Sequence, residues 1–249
     1  ILNWRQFTDR IAKLASGLGS MGVQRGDRIA TLTANSYQNI EFTYAAHWLG
    51  AVIVPINSRW SENEIKYALG DSSTKILLVD KENSIKIFDE NLSGLGLVSY
   101  DDLSGVNYCS YEDLIGNAIS IDRVDVQSEE LASIFYTGGT TGRSKGVMLS
   151  HYNHYQHSLL LIADAGLRAD GGYLHAAPMF HIADSFFTHI YSLLGGAHYV
   201  LRKFSPAAIA SLLETHSVST TILVPTMIQM ILADQAAADI TFNKLNQLF

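Results

Sequence analysis

Leu131-Ala-Ser-Ile-Phe-Tyr136, Thr137-Gly-Gly-Thr-Thr-Gly-Arg-Ser-Lys145 and Gly146-Val-Met-Leu149 form the stretch on which the reading of this chain turns. Leu131–Tyr136 and Val147–Leu149 are short apolar runs bounded by turn residues, the pattern of buried strands. The eleven residues from Tyr136 to Gly146 include four glycines and three threonines. Glycine lets the backbone curl and turn its N–H groups inward, and Thr137, Thr140 and Thr141 add hydroxyl donors. Lys145 adds a fixed positive charge. Together Thr137, Gly138, Gly139, Thr140, Thr141, Gly142 and Lys145 make a phosphate cradle. An ordinary Gly/Thr hairpin turn would need neither the lysine nor the density of hydroxyls. A P-loop is excluded, because its second glycine must fall five residues after the first, and the positions five beyond Gly138 and Gly139 are Arg143 and Ser144.

Working outward, strand and helix patterns alternate on both sides of this loop. Phe7, Ile11, Leu14, Leu18 and Met21 fall at steps of four and three, which makes one face of a helix over 3–21, opened by an Asn3/Gln6 capping box and closed at Gly22. Strands are expected at 28–33, 51–56 and 75–79, with helices at 38–49 and from Ser61, where Glu64 completes a second capping box. Beyond the loop the pattern continues with helix 151–165, strand 172–176, helix 180–194, strand 198–201, helix 206–216, strand 220–224 and a helix from about Thr226. Such alternation implies parallel strands joined by right-handed crossovers, and parallel strands covered on both faces read as unbroken apolar runs. The fold class is therefore α/β. Between Lys81 and Gln127 the periodicity weakens, and a surface excursion with short elements is expected there. Two lobes follow, 1–127 and 128–249, the second carrying the phosphate loop.

Gly17-Leu-Gly19-Ser-Met-Gly22 matches G-x-G-x-x-G, but the dinucleotide motif needs a strand before it and a helix after. Here the order is reversed, so small packing residues at a helix C-terminus are the better reading.

The chain has 249 residues, 47% of them hydrophobic and 16% charged, which suits a globular protein. Its formal net charge of −7 argues against a general nucleic-acid binder but leaves room for a local anion site. Cys109 is the one cysteine, which excludes an internal disulfide and a cysteine-based zinc site and fits a reducing compartment. No apolar run approaches the ~20 residues that span a bilayer, and no leader pattern is visible. A cytoplasmic location is expected, with peripheral membrane attachment left open. His151, His154 and His157 tempt a metal reading, but at i, i+3 and i+6 they fan around a helix by about 120°, so no protein metal site is expected.

The loop sequence Y-T-G-G-T-T-G-R-S-K-G resembles the phosphate-binding signature of the adenylate-forming (AMP-binding) superfamily, which includes acyl-CoA synthetases and non-ribosomal adenylation domains. Ser144 stands where that family usually has proline. Leu18–Ala30, Gly50–Asn57, Leu149–Asn153, Pro178-Met-Phe-His181 and Val224-Pro-Thr-Met227 resemble further family segments, in the family's order and spacing. The resemblance implies two mostly parallel sheets with flanking helices in a layered αβαβα arrangement. It implies activation of a fatty or aryl carboxylic acid with ATP, Mg²⁺ carried by the ATP, and thioester formation with coenzyme A. Thr137, Thr140 and Thr141 would meet the β/γ-phosphates and Lys145 would supply charge. His181, as the catalytic-site histidine, would line the pocket near the reacting carboxylate with Phe180, Pro225 and Met227. Amino-acid-activating relatives usually carry aspartate where His181 stands, so a simple acid is the expected substrate.

Rival readings are an acyl-AMP ligase serving a carrier protein and a non-catalytic nucleotide- or acyl-binding module. The family's Y-G-x-T-E and T-G-D segments and its C-terminal domain are not in this sequence. The expectation is an N-terminal portion of a longer ligase that alone binds ATP poorly and makes no thioester.

Overall fold

The computed structural model describes residues 1–87, 94–138, 143–234 and 244–249. By internal contact they divide into two compact units, one formed by 1–33 with 37–152 and the other by 34–36 with 153–249.

The first unit opens with α1 (Trp4–Ser20). The expected capping box is present: the Asn3 side chain accepts from the Gln6 N–H at 2.9 Å, and the Gln6 side chain accepts from the Asn3 N–H at 3.0 Å. Gly22 ends the helix at a φ of +91°, a left-handed conformation that costs glycine little. Then follow β1 (Arg28–Leu32), α2 (Tyr37–Trp48), β2 (Val52–Pro55), α3 (Glu62–Asp71), β3 (Thr74–Val79), α4 (Lys81–Ser84), β4 (Gly96–Ser99), β5 (Cys109–Ser110), α5 (Tyr111–Gly116), β6 (Leu131–Tyr136) and β7 (Gly146–Ser150). The seven strands form one sheet in the order β5-β4-β3-β1-β2-β6-β7. Every pairing is parallel except β6 with β7, which is antiparallel.

The apolar strands are buried on both faces because successive side chains point to opposite sides. Ile29, Ile53 and Leu78 pack with Leu14, Leu18 and Phe42 on one face. Ala30, Val54, Leu77 and Val79 pack with Ile65 and Leu69 on the other. The segment expected as a surface excursion does more than that: β4 and β5 extend the sheet, and Val98 is fully buried. These strands are too short to show a period in the sequence. The G-x-G-x-x-G stretch is a packing surface, since a Cβ on Gly17 would lie 2.9 Å from the Leu114 carbonyl of α5.

The second unit holds most of α6 (His151–Ala165), then β8 (Gly172–His175), α7 (Ile182–Leu194), β9 (Ala197–Val200), α8 (Pro206–Thr215), β10 (Val218–Thr221), α9 (Pro225–Ala233) and β11 (Gln247–Leu248). Its four strands are all parallel, in the order β11-β10-β8-β9. Tyr173 and Leu174, adjacent on β8, enter opposite clusters, one with Phe187 and Tyr191, the other with Val218, Ile209 and Met227. The units divide after Tyr152, whereas the sequence reading divided its lobes at 127/128. Pairing of β6 with β2 keeps the glycine–threonine hairpin in the first sheet. No helix among the described residues is long and apolar enough to cross a membrane.

One buried acid knits the first unit together. Glu41 on α2 has no solvent exposure and is met by Arg10 of α1 at 2.6 and 3.1 Å and by the Tyr111 hydroxyl of α5 at 2.8 Å. Arg10 also bonds Glu112, and the two acids raise the guanidinium pKa further. Removing one partner of a buried pair leaves a desolvated charge. Arg10→Ala is expected to cost about 3–5 kcal/mol in urea unfolding, and a Glu41→Gln background should shrink that loss.

Candidate functional site

In the first unit, β6 and β7 pair antiparallel from Leu131↔Ser150 to Tyr136↔Gly146. The residues between them leave the carboxyl end of β6, which runs parallel to β2, and open α/β sheets bind ligands at that end. The neck of the loop is closed by the Thr137 N–H, which donates to the Lys145 carbonyl at 3.0 Å. This brings Thr137 and Lys145, eight positions apart, side by side, both exposed. Gly138 is also exposed, and a Cβ there would meet nothing within 4 Å. The expected phosphate contacts Gly139, Thr140, Thr141 and Gly142 lie outside the described residues.

The base of the hairpin is braced from α3. Tyr136 donates to Asp71 at 2.7 Å, and burial together with that carboxylate raises the phenol pKa. The Arg143 guanidinium lies 5.4 Å over the Tyr67 ring, a cation–π arrangement. Tyr67 and Asp71 sit one helical turn apart, which was the available sequence signal for this brace. Gly146 is required sterically: a Cβ on it would come within 2.7 Å of Ile134 Cγ2 and 3.3 Å of Tyr136 Cζ. Gly146→Ala is expected to destabilise the fold by about 1–3 kcal/mol, read as a lowered thermal midpoint.

In the second unit, Pro178-Met-Phe-His181 forms the turn between β8 and α7. The helix begins at Ile182, two residues later than the pattern predicts, which makes His181 its N-cap residue rather than part of its first turn. The His181 side chain makes no capping hydrogen bond and is exposed, while Phe180 beside it is half-buried with its ring 4.8 Å away. The backbone turn is closed by the His181 N–H bonding to the Pro178 carbonyl at 3.0 Å. Pro225 starts α9 and is exposed; Met227, two residues on, is buried in the cluster that contains Ala176. Phe187 and Tyr191 belong to a separate cluster, and Met230 is 52% exposed.

The three helix histidines meet rings on other elements. The His151 ring meets His47 at 5.0 Å, His154 is buried near His189 and Phe186, and His157 stacks on Phe186 at 3.9 Å. Burial lowers the pKa of His151 and His157. Among the described residues no group of three or more His, Cys, Asp or Glu is placed to hold a metal ion.

A polar network that sequence reasoning missed runs beneath the β8–α7 turn. His175 and Asp184 are fully buried and paired at 2.5 Å. His175 Nε2 is 3.0 Å from His198 Nδ1, and His198 Nε2 is 3.2 Å from Ser192 Oγ. A histidine ending an apolar strand and the one acid of α7 were its traces in the sequence. Burial, and then the charge of His175, push the His198 pKa down from 6.5 to about 3. A histidine with a depressed folded pKa contributes stability above its ordinary value and loses it as pH falls toward the folded one. Between pH 6.5 and pH values approaching 3, the wild type should therefore lose more stability than His198→Gln, measured as urea midpoints across that range.

The AMP-binding enzyme family matches residues 1–248, and the chain belongs to it. It is 31% identical over 233 residues to a feruloyl-CoA synthase from Amycolatopsis sp, covering 93% of this chain and 45% of that protein. It is 32% identical over 257 residues to a medium-chain-fatty-acid–CoA ligase from Ectopseudomonas oleovorans, covering 94% of this chain and 45% of that one. ATP-bound MatB from Rhodopseudomonas palustris superimposes with a TM-score of 0.86 at 27% identity, over 98% of this chain and 48% of that structure. The chain thus spans about half the length of the curated relatives it matches. The two-sheet α/β architecture is that of the large N-terminal domain of adenylate-forming enzymes.

Proposed function

We propose that this chain supplies the phosphate loop and part of the acid site of an AMP-forming acid–CoA ligase that acts on a fatty or aryl carboxylic acid. The observation that carries the reading is the closed neck of the hairpin, which sets Thr137, Gly138 and Lys145 together at the carboxyl end of β6 in a chain of the AMP-binding family.

The chemistry asks little covalent work of the protein. A carboxylate oxygen bonds to the α-phosphorus of ATP while the bond to pyrophosphate breaks. The thiolate sulfur of coenzyme A then bonds to the acyl carbon, and AMP leaves. The first step needs the polyphosphate held in line and its charge balanced. Thr137 and Gly138 offer hydroxyl and backbone donors, and Lys145 offers a fixed cation. Thr140 and Thr141 complete the cradle in this reading. Magnesium would arrive with the nucleotide, and no step here is assigned to a protein-held metal. In the acid site, Phe180 gives an apolar wall and His181 a polar ring at the start of α7. Relatives named for feruloyl and for medium-chain acyl substrates support the breadth of the acid class.

The test is acid-dependent exchange of pyrophosphate into ATP by the complete protein, with a panel of cinnamate-type and straight-chain acids. Lys145→Ala should lower exchange by about 10²-fold or more without shifting the thermal midpoint, because Lys145 is exposed. Unchanged exchange would remove the loop from the mechanism. Nucleotide binding without acid-dependent exchange would favour a binding module, and transfer to a carrier protein in place of coenzyme A would favour the acyl-AMP ligase.

A further inference from the structure

The turn bearing Phe180 and His181 is held from beneath by polar side chains that take no part in the chemistry above. Asn35, which packs with the second unit, is buried and makes three hydrogen bonds to this segment alone. Its Nδ2 donates to the carbonyls of His175 at 3.2 Å and Ala177 at 2.8 Å, and its Oδ1 accepts from the Met179 N–H at 2.9 Å. An amide side chain offers two donor hydrogens and an acceptor oxygen, so each kind of group is engaged by one short stretch of backbone.

The two ends of the segment are joined to each other. His175 is the last residue of β8 and Asp184 lies in the first turn of α7; their contact closes the eight residues between them into a loop. The second carboxylate oxygen of Asp184 accepts from the Tyr173 hydroxyl at 3.1 Å. His175 Nδ1–H can donate to Asp184 in either charge state of the ring. With His175 protonated, its Nε2–H donates to His198; with His175 neutral, the His198 bond reverses. Both states keep the network connected.

A buried pair of this kind is a poor source of stability, since well-packed apolar residues of similar volume commonly do as well or better. What the polar pair adds is direction. Apolar contacts between β8 and α7 would tolerate sliding of the helix start, whereas bonds at 2.5 and 3.1 Å do not. His181, at the junction of turn and helix, takes its position from those two ends and from Asn35.

We propose that Asn35 and the His175–Asp184 pair are positioning residues for the acid site: they fix the Phe180–His181 turn and through it set the affinity for the carboxylic acid. This rests on the assignment of His181 to that site.

The experiment compares Asp184→Asn and Asn35→Ala with wild type in the complete protein, well below the unfolding temperature of each. Asp184→Asn keeps the shape and the Tyr173 bond while removing the charge. If it does not fold, Asn35→Ala carries the test. Hydrogen–deuterium exchange of the 176–183 amides should accelerate about tenfold or more, with exchange in α8 and β10 unchanged. The KM for the acid should rise about tenfold while the KM for ATP stays within about twofold, since misplacing a substrate-positioning group by a fraction of an ångström has effects of that size. Unchanged exchange across 176–183, with only a lower thermal midpoint, would overturn the anchoring role. Faster exchange with an unchanged acid KM would overturn the proposal through its other premise, by showing that the turn is not part of the acid site. A His181→Ala control, which should raise the acid KM without loosening the turn, separates the two.

Discussion

One backbone hydrogen bond, from the Thr137 N–H to the Lys145 carbonyl, closes the neck of the β6–β7 hairpin. It holds Thr137 and Lys145 together at the carboxyl end of a buried strand. The bond can form because β7 turns back antiparallel beside β6, the one antiparallel pairing among the described residues of the sheet. That pairing in turn requires Gly146, where any side chain would drive into Ile134 and Tyr136. The Tyr136 hydroxyl then ties the hairpin to Asp71 on α3. Each link is short-range and polar or steric, and each depends on the apolar sheet that holds β6 in place.

The same logic recurs at three buried polar residues. Glu41, Asp184 and Asn35 are each surrounded by apolar packing and each is matched by named partners. A buried charge or amide without partners is costly, so such groups persist only where several elements converge to satisfy them. Glu41 joins α1, α2 and α5. Asp184 joins the start of α7 to the end of β8. Asn35 reaches the backbone of the turn between those two. Hydrophobic burial supplies the bulk of the cohesion in both units, and these groups select one arrangement among many that would bury similar area.

Much of the architecture was legible in the sequence because it rests on local signals. The Asn3/Gln6 and Ser61/Glu64 capping boxes are both formed, since a cap needs only residues three apart. Strands such as Ala51–Ile56 could be read because a strand covered on both faces is a continuous apolar run. The β4 and β5 strands were not legible, being four and two residues long, and β11 escaped for the same reason. At the candidate site, Thr137, Gly138, Lys145, Phe180 and His181 were visible through motif and residue type. Asn35, Asp71, His175, Asp184 and His198 were not, because a lone polar residue in an apolar context does not announce its partner.

The sequence by itself determined the order of the longer elements, the two capping boxes, the position of the β6–β7 hairpin and the membership of the AMP-binding family. These follow from spacing within a few residues, where chain connectivity supplies proximity. Only the tertiary structure decided which strands are neighbours, that Gly17 packs against Leu114 of α5, and that His175 closes on Asp184. Those contacts join positions that pair only after the chain has folded, and their energies come from burial shared among elements rather than from any one of them.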